Sequence, residues 1–203
     1  LGAGLDSFAW RRPDWARELN VVEIDFAATQ AEKQRRVAGF GDPGPHRYLA
    51  VDFTRQSLAD ALREGGVDAQ QPVFCSWLGV TPYLPWEAVA GSLNDLAASL
   101  APGSRLVFDF AEDFRRQWRQ LRPETLGAGA MWLWVRLLGE RFYNHGHSTD
   151  SLRAALADAH WDTLEMLDEA AVNRRYFTRS QPTLRTISGT GLVLTQLRPP
   201  AQS

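Results

Sequence analysis

The sequence predicts an α/β fold: a Rossmann-like, mostly parallel sheet with helices on both faces, an antiparallel final strand and a helical lid. Three predicted strand ends carry this expectation. The first six residues, LGAGLD, have the form of a glycine-rich turn from a buried strand into a helix, and the runs 21–25 and 48–53 are apolar segments that carry an aspartate at or near their ends. One glycine-rich and two acidic strand ends are what a nucleoside-binding sheet needs at its carboxyl edge.

Strand and helix patterns alternate along the chain, which favours one parallel-sheet domain over residues 1–203. The predicted order is helix 7–19, strand 20–26, helix 27–37, strand 47–53, helix 56–64 and strand 71–77. A long helix follows Tyr83 and Leu84, and strand 105–110, a helical lid over about 111–147 and helix 151–160 come next. Strands 162–168 and 191–198 are predicted to close the sheet edge as a hairpin. Only Leu1 precedes the glycine loop, so the first strand is expected to be largely absent from this chain.

Composition excludes several classes of function. The chain has 203 residues, 44% of them hydrophobic and 23% charged, with a formal net charge of -2 and a pI of about 6.1. No global positive field is present to hold nucleic acid. No apolar stretch reaches the ~18–20 residues of a membrane span. The single cysteine excludes an internal disulfide and favours a reducing, cytoplasmic location, and the sequence offers no metal-ligand spacing.

The loop Gly2-Ala3-Gly4 is the first candidate binding element. Glycine permits positive φ and lets the backbone approach a ligand where a Cβ would collide. The third glycine of the dinucleotide fingerprint would fall at Ser7 and is absent, and Asp6 places a negative charge beside the loop. The loop therefore favours an uncharged or cationic nucleoside such as S-adenosylmethionine (SAM) over NAD.

The two acidic strand ends are the next candidates. Asp25 follows the loop by about twenty residues, the spacing at which an acid accepts hydrogen bonds from ribose hydroxyls. Asp52 can accept the adenine amine, and the adjacent Phe53 can cover the base. The alternatives are a solvated carboxylate at position 25, and at 52–53 a helix N-terminal acid beside a core phenylalanine.

Residues 74–84 lead from a strand into the long helix at the edge where a methyl acceptor would lie. Tyr83 is the candidate for positioning a substrate oxygen, although a tyrosine that only caps the helix start fits equally well. Cys75 is interpreted as a small core residue, because no activating base is nearby.

Several motifs together are similar to the leucine carboxyl methyltransferase-like group of class I methyltransferases, which includes bacterial polyketide O-methyltransferases. They are LGAGLD at 1–6, Glu23-x-Asp25, Val51-Asp52-Phe53, SWLGVTPYL at 76–84, Pro102-Gly103-Ser104 and Val107-Phe108-Asp109. The resemblance implies a SAM-binding sheet with a helical lid. Gly2, Ala3 and Gly4 would face the methionine part of SAM, Asp25 the ribose, and Asp52 with Phe53 the adenine; Trp77 and Leu78 would complete the cofactor site. Many relatives carry a glutamate where this chain has Leu78.

These expectations define a SAM-dependent methyltransferase that acts on a carboxyl or hydroxyl oxygen of a small molecule. Methyl transfer depends on positioning more than on acid or base strength, so none of His145, His147 and His160 is expected to be essential. Two alternatives stay open: a non-catalytic protein of the same fold that binds SAM or a partner, and an NAD-dependent oxidoreductase. The acceptor and the oligomeric state are not predicted.

Overall fold

A computed structural model of the chain describes residues 1–111, 149–177, 186 and 189–199. The predicted lid over 111–147 lies outside these residues, apart from Ala111 itself. The strands are β1 (Val21–Asp25), β2 (His46–Ala50), β3 (Phe74–Trp77), β4 (Arg105–Ala111), β5 (Trp161–Leu167) and β6 (Thr190–Leu197). The helices are α1 (Ala27–Val37), α2 (Leu58–Glu64), α3 (Trp86–Ser99), α4 (Thr149–Asp158) and α5 (Glu169–Tyr176).

The strands form two hydrogen-bonded groups. β1 and β2 pair in parallel, with Val21 opposite His46 and Asp25 opposite Ala50. The second group has the order β3-β4-β6-β5, in which β3 and β4 are parallel and β6 runs antiparallel to both of its neighbours. The predicted α/β class, its mostly parallel strands and its antiparallel final strand are confirmed.

The two final strands pair antiparallel at the sheet edge as predicted, but they are not joined as a simple hairpin. β6 inserts between β4 and β5, so the last strand lies inside the sheet and β5 forms its edge. Helix α5 separates the two strands in sequence, and it begins after Asp168, whose side chain accepts a hydrogen bond from the Ala171 N–H at 2.7 Å. This N-terminal cap starts a helix in a segment to which the sequence analysis assigned no element.

The segment Leu1–Ala3 lies between the two groups of strands. The Ala3 N–H donates to the Ile24 carbonyl of β1 at 3.2 Å, and the Leu1 amino group donates to the Ser76 carbonyl of β3 at 2.7 Å. The glycine loop is thereby held against the carboxyl ends of both strands.

The helix predicted over 7–19 is also corrected. Two short 3₁₀ turns, Phe8–Trp10 and Asp14–Ala16, stand in its place. Pro13 separates them with an extended backbone (ψ 162°). A continuous helix through this position is disfavoured because proline lacks the N–H needed for the helical hydrogen bond and its ring clashes with the preceding turn.

A second link joins the two halves of the fold through helices α2 and α3. The Asp95 carboxylate of α3 accepts hydrogen bonds from the first N–H groups of α2, Leu58 at 2.6 Å and Ala59 at 3.2 Å, and from the Ser57 hydroxyl at 3.2 Å. A side chain of one helix therefore caps the other.

Candidate functional site

The glycine loop adopts the conformation that its sequence predicts. Gly2 and Gly4 have φ values of +61° and +47°, in the left-handed region that favours glycine. A Cβ on Gly2 would also lie 2.2 Å from a methyl carbon of Val80, so this position has no room for a side chain. Gly4 has open space around it and is constrained by its backbone conformation.

Asp25 anchors this loop to the end of β1. One carboxylate oxygen accepts the Gly4 N–H at 2.6 Å, and the other accepts the Phe26 N–H at 2.7 Å. The residue is 9% exposed. Because a carboxylate has about four lone-pair positions, both oxygens retain capacity for further donors such as ribose hydroxyls.

Asp52 lies after β2 and closes a local turn. Its Oδ1 accepts hydrogen bonds from the Thr54 hydroxyl at 2.6 Å and the Thr54 N–H at 2.9 Å, and the Arg55 guanidinium lies 3.6 Å from Oδ2. The hydrogen bond from the Thr54 side chain holds the pKa of Asp52 below its ordinary value, so the group stays anionic. Part of its acceptor capacity is thus used within its own turn.

Phe53 is a core residue in this structure, with 7% of its surface exposed and its ring 6.0 Å from that of Trp77. The exposed ring at this edge is instead Phe26, directly after Asp25 and 46% exposed. Phe26 could have been found from the sequence, because it is an aromatic residue directly after the acidic residue at the end of a predicted strand.

Trp77 has no exposed surface, because its indole packs between Phe53 and Phe108. Trp77 therefore cannot contact a ligand directly in this structure, and its indole instead packs in the core beneath the loop that follows β3. Leu78 and Tyr83 follow the same strand and are 48% and 40% exposed, so both are accessible to a ligand. Their roles in cofactor binding and in positioning the acceptor stay predictions. Two further residues of this loop, Thr81 and Pro82, line an apolar pocket together with Trp86, Val89, Phe108, Phe110, Ala111 and Leu152.

Asp109, near the carboxyl end of β4, belongs to a motif that carries the family resemblance, but the sequence analysis gave it no role in the site. Its Oδ1 accepts the Gly79 N–H at 2.8 Å, and its carbonyl accepts the Thr81 hydroxyl at 2.7 Å. Burial raises the pKa of the Asp109 carboxyl group, and the Gly79 hydrogen bond opposes that rise. The position could have been found from the sequence, because it is a third acidic residue near the end of a strand.

A buried polar cluster lies next to Asp25, between the paired strands β1 and β2 and helix α1. Lys33 of α1 pairs with Glu23, both are under 10% exposed, and His46 lies 3.4 Å from the other Glu23 oxygen. Trp10 covers the cluster, with its ring centroid 5.8 Å from the Lys33 ammonium. Burial lowers the pKa of His46, so its imidazole is neutral at pH 7.

Of the three histidines that could act as a base for a hydroxyl acceptor, the one within the described residues, His160, does not lie at this edge. His160 precedes β5, and β5 is parallel to β4 because both are antiparallel to β6. His160 therefore lies at the amino edge of the sheet, opposite Asp109. His145 and His147 lie outside the described residues.

Comparisons with known proteins agree with this arrangement. The sequence profile of the leucine carboxyl methyltransferase family matches residues 1–97. The Bacillus subtilis (strain 168) protein named "Putative S-adenosyl-L-methionine-dependent methyltransferase YktD" is 36% identical over 115 residues, which are 56% of this chain and 38% of that protein. The matched part thus spans well under half of this relative.

Two solved structures share the fold. A possible exported protein of Bordetella parapertussis superposes with a TM-score of 0.64 at 17% identity, over 98% of this chain and 60% of that one. The mitomycin 7-O-methyltransferase MmcR gives a TM-score of 0.59 at 15% identity, over 97% of this chain and 47% of that one.

The strand order, the glycine loop and the acidic strand ends together define the fold of a class I methyltransferase. Residues 1–97, just under half of the chain, match the leucine carboxyl methyltransferase family, which confirms the resemblance inferred from the motifs. Within residues 1–111, 149–177 and 189–199, no helix is long and apolar enough to cross a membrane.

Proposed function

We propose that the protein is a SAM-dependent methyltransferase that transfers a methyl group to an oxygen atom, carboxyl or hydroxyl, of a small molecule. One observation carries the cofactor part: the Asp25 carboxylate binds the Gly4 N–H at 2.6 Å and so holds a positive-φ glycine loop at the carboxyl edge of β1. The naming of its relatives as SAM-dependent methyltransferases supports the same cofactor.

The residues present fit SAM. Gly2 and Gly4 leave bare backbone for the methionine part, and Asp25 has free acceptor positions for the ribose hydroxyls. Phe26 offers an exposed ring beside Asp25, and Asp52 lies at the next strand end for the adenine amine. When bound, SAM supplies a sulfonium methyl group that is open to in-line displacement. The aspartates at this edge favour its positive charge over the anionic diphosphate of NAD.

The residues of this chain contribute positioning and charge. Methyl transfer in line with the carbon–sulfur bond consumes positive charge, so the main requirements are alignment of the acceptor oxygen and exclusion of water. A carboxylate acceptor needs no general base, whereas a hydroxyl acceptor loses a proton. Tyr83 is the residue proposed to orient the acceptor oxygen, and Leu78 presents an exposed apolar side chain on the same loop. A cytoplasmic location and a small-molecule acceptor remain parts of the proposal.

The test has a binding stage and a turnover stage. S-adenosylhomocysteine (SAH) at about 100 times its Kd stabilises a protein by about 2.7 kcal/mol. We therefore expect SAH to raise the Tm by roughly 5–11 °C, since 1 kcal/mol shifts a domain of this size by about 2–4 °C. NAD at the same concentration should leave the Tm unchanged, and a shift with NAD alone would overturn the proposal.

Turnover is then measured with methyl-labelled SAM and a panel of small carboxylic acids, phenols and alcohols. Label that appears in a base-labile ester indicates carboxyl methylation, and label in a base-stable ether indicates hydroxyl methylation. Binding of SAH without transfer to any acceptor would favour the non-catalytic alternative.

A further inference from the structure

We propose that Asp109 is a positioning residue that fixes the loop Leu78–Tyr83 against the glycine loop and thereby sets the affinity for the cofactor. The inference rests on the proposed function, because it assigns a role within the same SAM site. It adds a residue from β4 to a site otherwise built from the ends of β1, β2 and β3.

Two hydrogen bonds tie the end of β4 to the loop that follows β3. The Asp109 carboxylate accepts the Gly79 N–H at 2.8 Å, and the Thr81 hydroxyl donates to the Asp109 carbonyl at 2.7 Å. Gly79 has φ +72°, a conformation that few other residues adopt, and this turn presents its N–H to the carboxylate. Asp109 therefore holds the loop on both sides of Val80.

Val80 transmits this restraint to the glycine loop. Its side chain lies so close to Gly2 that a Cβ placed there would be 2.2 Å from one Val80 methyl carbon and 3.1 Å from the other. A shift of Val80 would remove the surface on which the bare backbone of Gly2 rests. The line of contact runs from Asp109 through Gly79 and Val80 to Gly2.

Burial of the carboxylate supports a role beyond that of a surface acid. Asp109 is half-buried on β4, and desolvation disfavours its charged form, which the Gly79 N–H stabilises in part.

The experiment compares Asp109→Asn with Asp109→Ala. The asparagine keeps an oxygen that can accept the Gly79 N–H, whereas alanine removes it. We expect Asp109→Ala to weaken SAH binding and raise KM for SAM roughly tenfold or more, the size expected for loss of a hydrogen bond to a charged group. Asp109→Asn should stay within about threefold of the wild type, and kcat at saturating SAM should change little in both variants.

Val80→Ala is a second variant that leaves Asp109 and the sheet intact. It removes the side chain that faces Gly2, so it should also weaken SAH binding, and it serves if Asp109→Ala does not fold. Calorimetry with SAH measures all three variants, and their Tm values without ligand show whether they are folded.

The outcomes separate the two proposals. If the wild type binds SAH and both Asp109→Ala and Val80→Ala bind it equally well, the positioning role is overturned while the proposed function stands. If both Asp109→Asn and Asp109→Ala lose most of their kcat at saturating SAM, the carboxylate takes part in the chemistry and the positioning role is overturned. If the wild type binds no SAH, the proposed function itself fails.

Discussion

At the scale of single residues, the site depends on contacts to backbone N–H groups more than on pairs of side chains. The Asp25 carboxylate accepts hydrogen bonds from the N–H groups of Gly4 and Phe26. In the same way Asp109 accepts the N–H of Gly79, and Asp52 accepts the N–H of Thr54. Each aspartate thus organises a loop at the end of a strand. A substitution that changes the backbone of such a loop should affect ligand binding even though no ligand-binding side chain is lost.

Gly2→Ala is expected to lower the affinity for SAH at least tenfold. The variant would carry a Cβ that overlaps Val80, and a left-handed backbone costs a non-glycine residue about 1–2 kcal/mol. Isothermal titration calorimetry measures the effect. The matched control is Gly103→Ala, which has φ +85° and open space at the opposite edge of the sheet. It should lose stability but bind SAH normally, and equal binding by both variants would contradict the prediction.

The buried position of His46 leads us to expect that the protein becomes less stable in mild acid. Burial lowers its pKa in the folded protein, and the charges around it are Glu23, Lys33 and Arg12. The unfolded chain therefore takes up a proton near pH 6.5, the ordinary pKa, before the folded chain does. The His46 contribution to stability is complete above pH 6.5 and is lost as the pH falls towards the folded pKa.

Urea unfolding at pH 7.5 and pH 5 checks this expectation. The loss should approach at most about 1.4 kcal/mol per pH unit over the window in which only the unfolded state is protonated. His46→Asn should show a smaller loss over the same range. An identical loss in the variant would assign the effect to other groups.

At the scale of elements, a glycine in β6 and a glycine in α3 have opposite effects on stability. A Cβ on Gly191 of β6 would lie 2.5 Å from the Leu167 carbonyl oxygen and 2.5 Å from the Phe110 ring, whereas one on Gly91 of α3 would meet nothing within 4 Å. Gly191 therefore permits the close passage of β6 between its two neighbours. Gly91 is an exposed glycine inside a helix.

Gly191→Ala should destabilise the protein by roughly 1–3 kcal/mol through overpacking. Gly91→Ala should stabilise it by about 0.5–1 kcal/mol, because alanine has the higher helix propensity. Thermal unfolding of both variants measures the two shifts, which should have opposite signs. A Gly191→Ala variant as stable as the wild type would refute the packing argument for Gly191, and a destabilised Gly91→Ala variant would refute the helix-propensity argument for Gly91.

The elements that the sequence predicts best are those whose signal is local. Helix α1 was predicted with its observed bounds, and α3 follows from apolar residues spaced by three and four positions. The position of β6 was missed because it depends on pairing between residues about 90 apart in sequence, such as Arg105 and Gln196. The same reason explains why the role predicted for Phe53 differs from its position in the structure. Its neighbours in sequence allow either a ring that covers the adenine base or a core ring, and packing against Trp77 makes it a core ring.

At the scale of the whole molecule, the two groups of strands are held together by Leu1–Ala3 and by the α2–α3 contact. The Asp95 cap is the polar part of that contact, with three donors on one carboxylate oxygen. The binding edge uses strands from both groups, so its shape depends on this connection. Sequence patterns identified the two helices but not the cap between them, because no local motif relates Asp95 to Leu58.

Asp95→Ala should lower stability by about 0.5–2 kcal/mol, the usual cost of losing a helix cap. That corresponds to a fall in Tm of roughly 1–8 °C for a domain of this size. Asp60→Ala is the control, since the Asp60 carboxylate pairs with an exposed arginine of the same helix at 2.6 Å and such pairs contribute little. A change in Tm for Asp60→Ala as large as that for Asp95→Ala would remove the basis for assigning a special role to the cap.

The low reactivity of the single cysteine permits selective labelling at a second, introduced cysteine. Burial raises the pKa of the Cys75 thiol to about 11, so only about one molecule in 10⁴ carries the reactive thiolate at pH 7. A second cysteine introduced as Leu78→Cys, on a half-exposed loop position, should accept a maleimide dye far faster than Cys75 does. Fluorescence from that label would follow nucleoside exchange in real time without removal of the native sulfur.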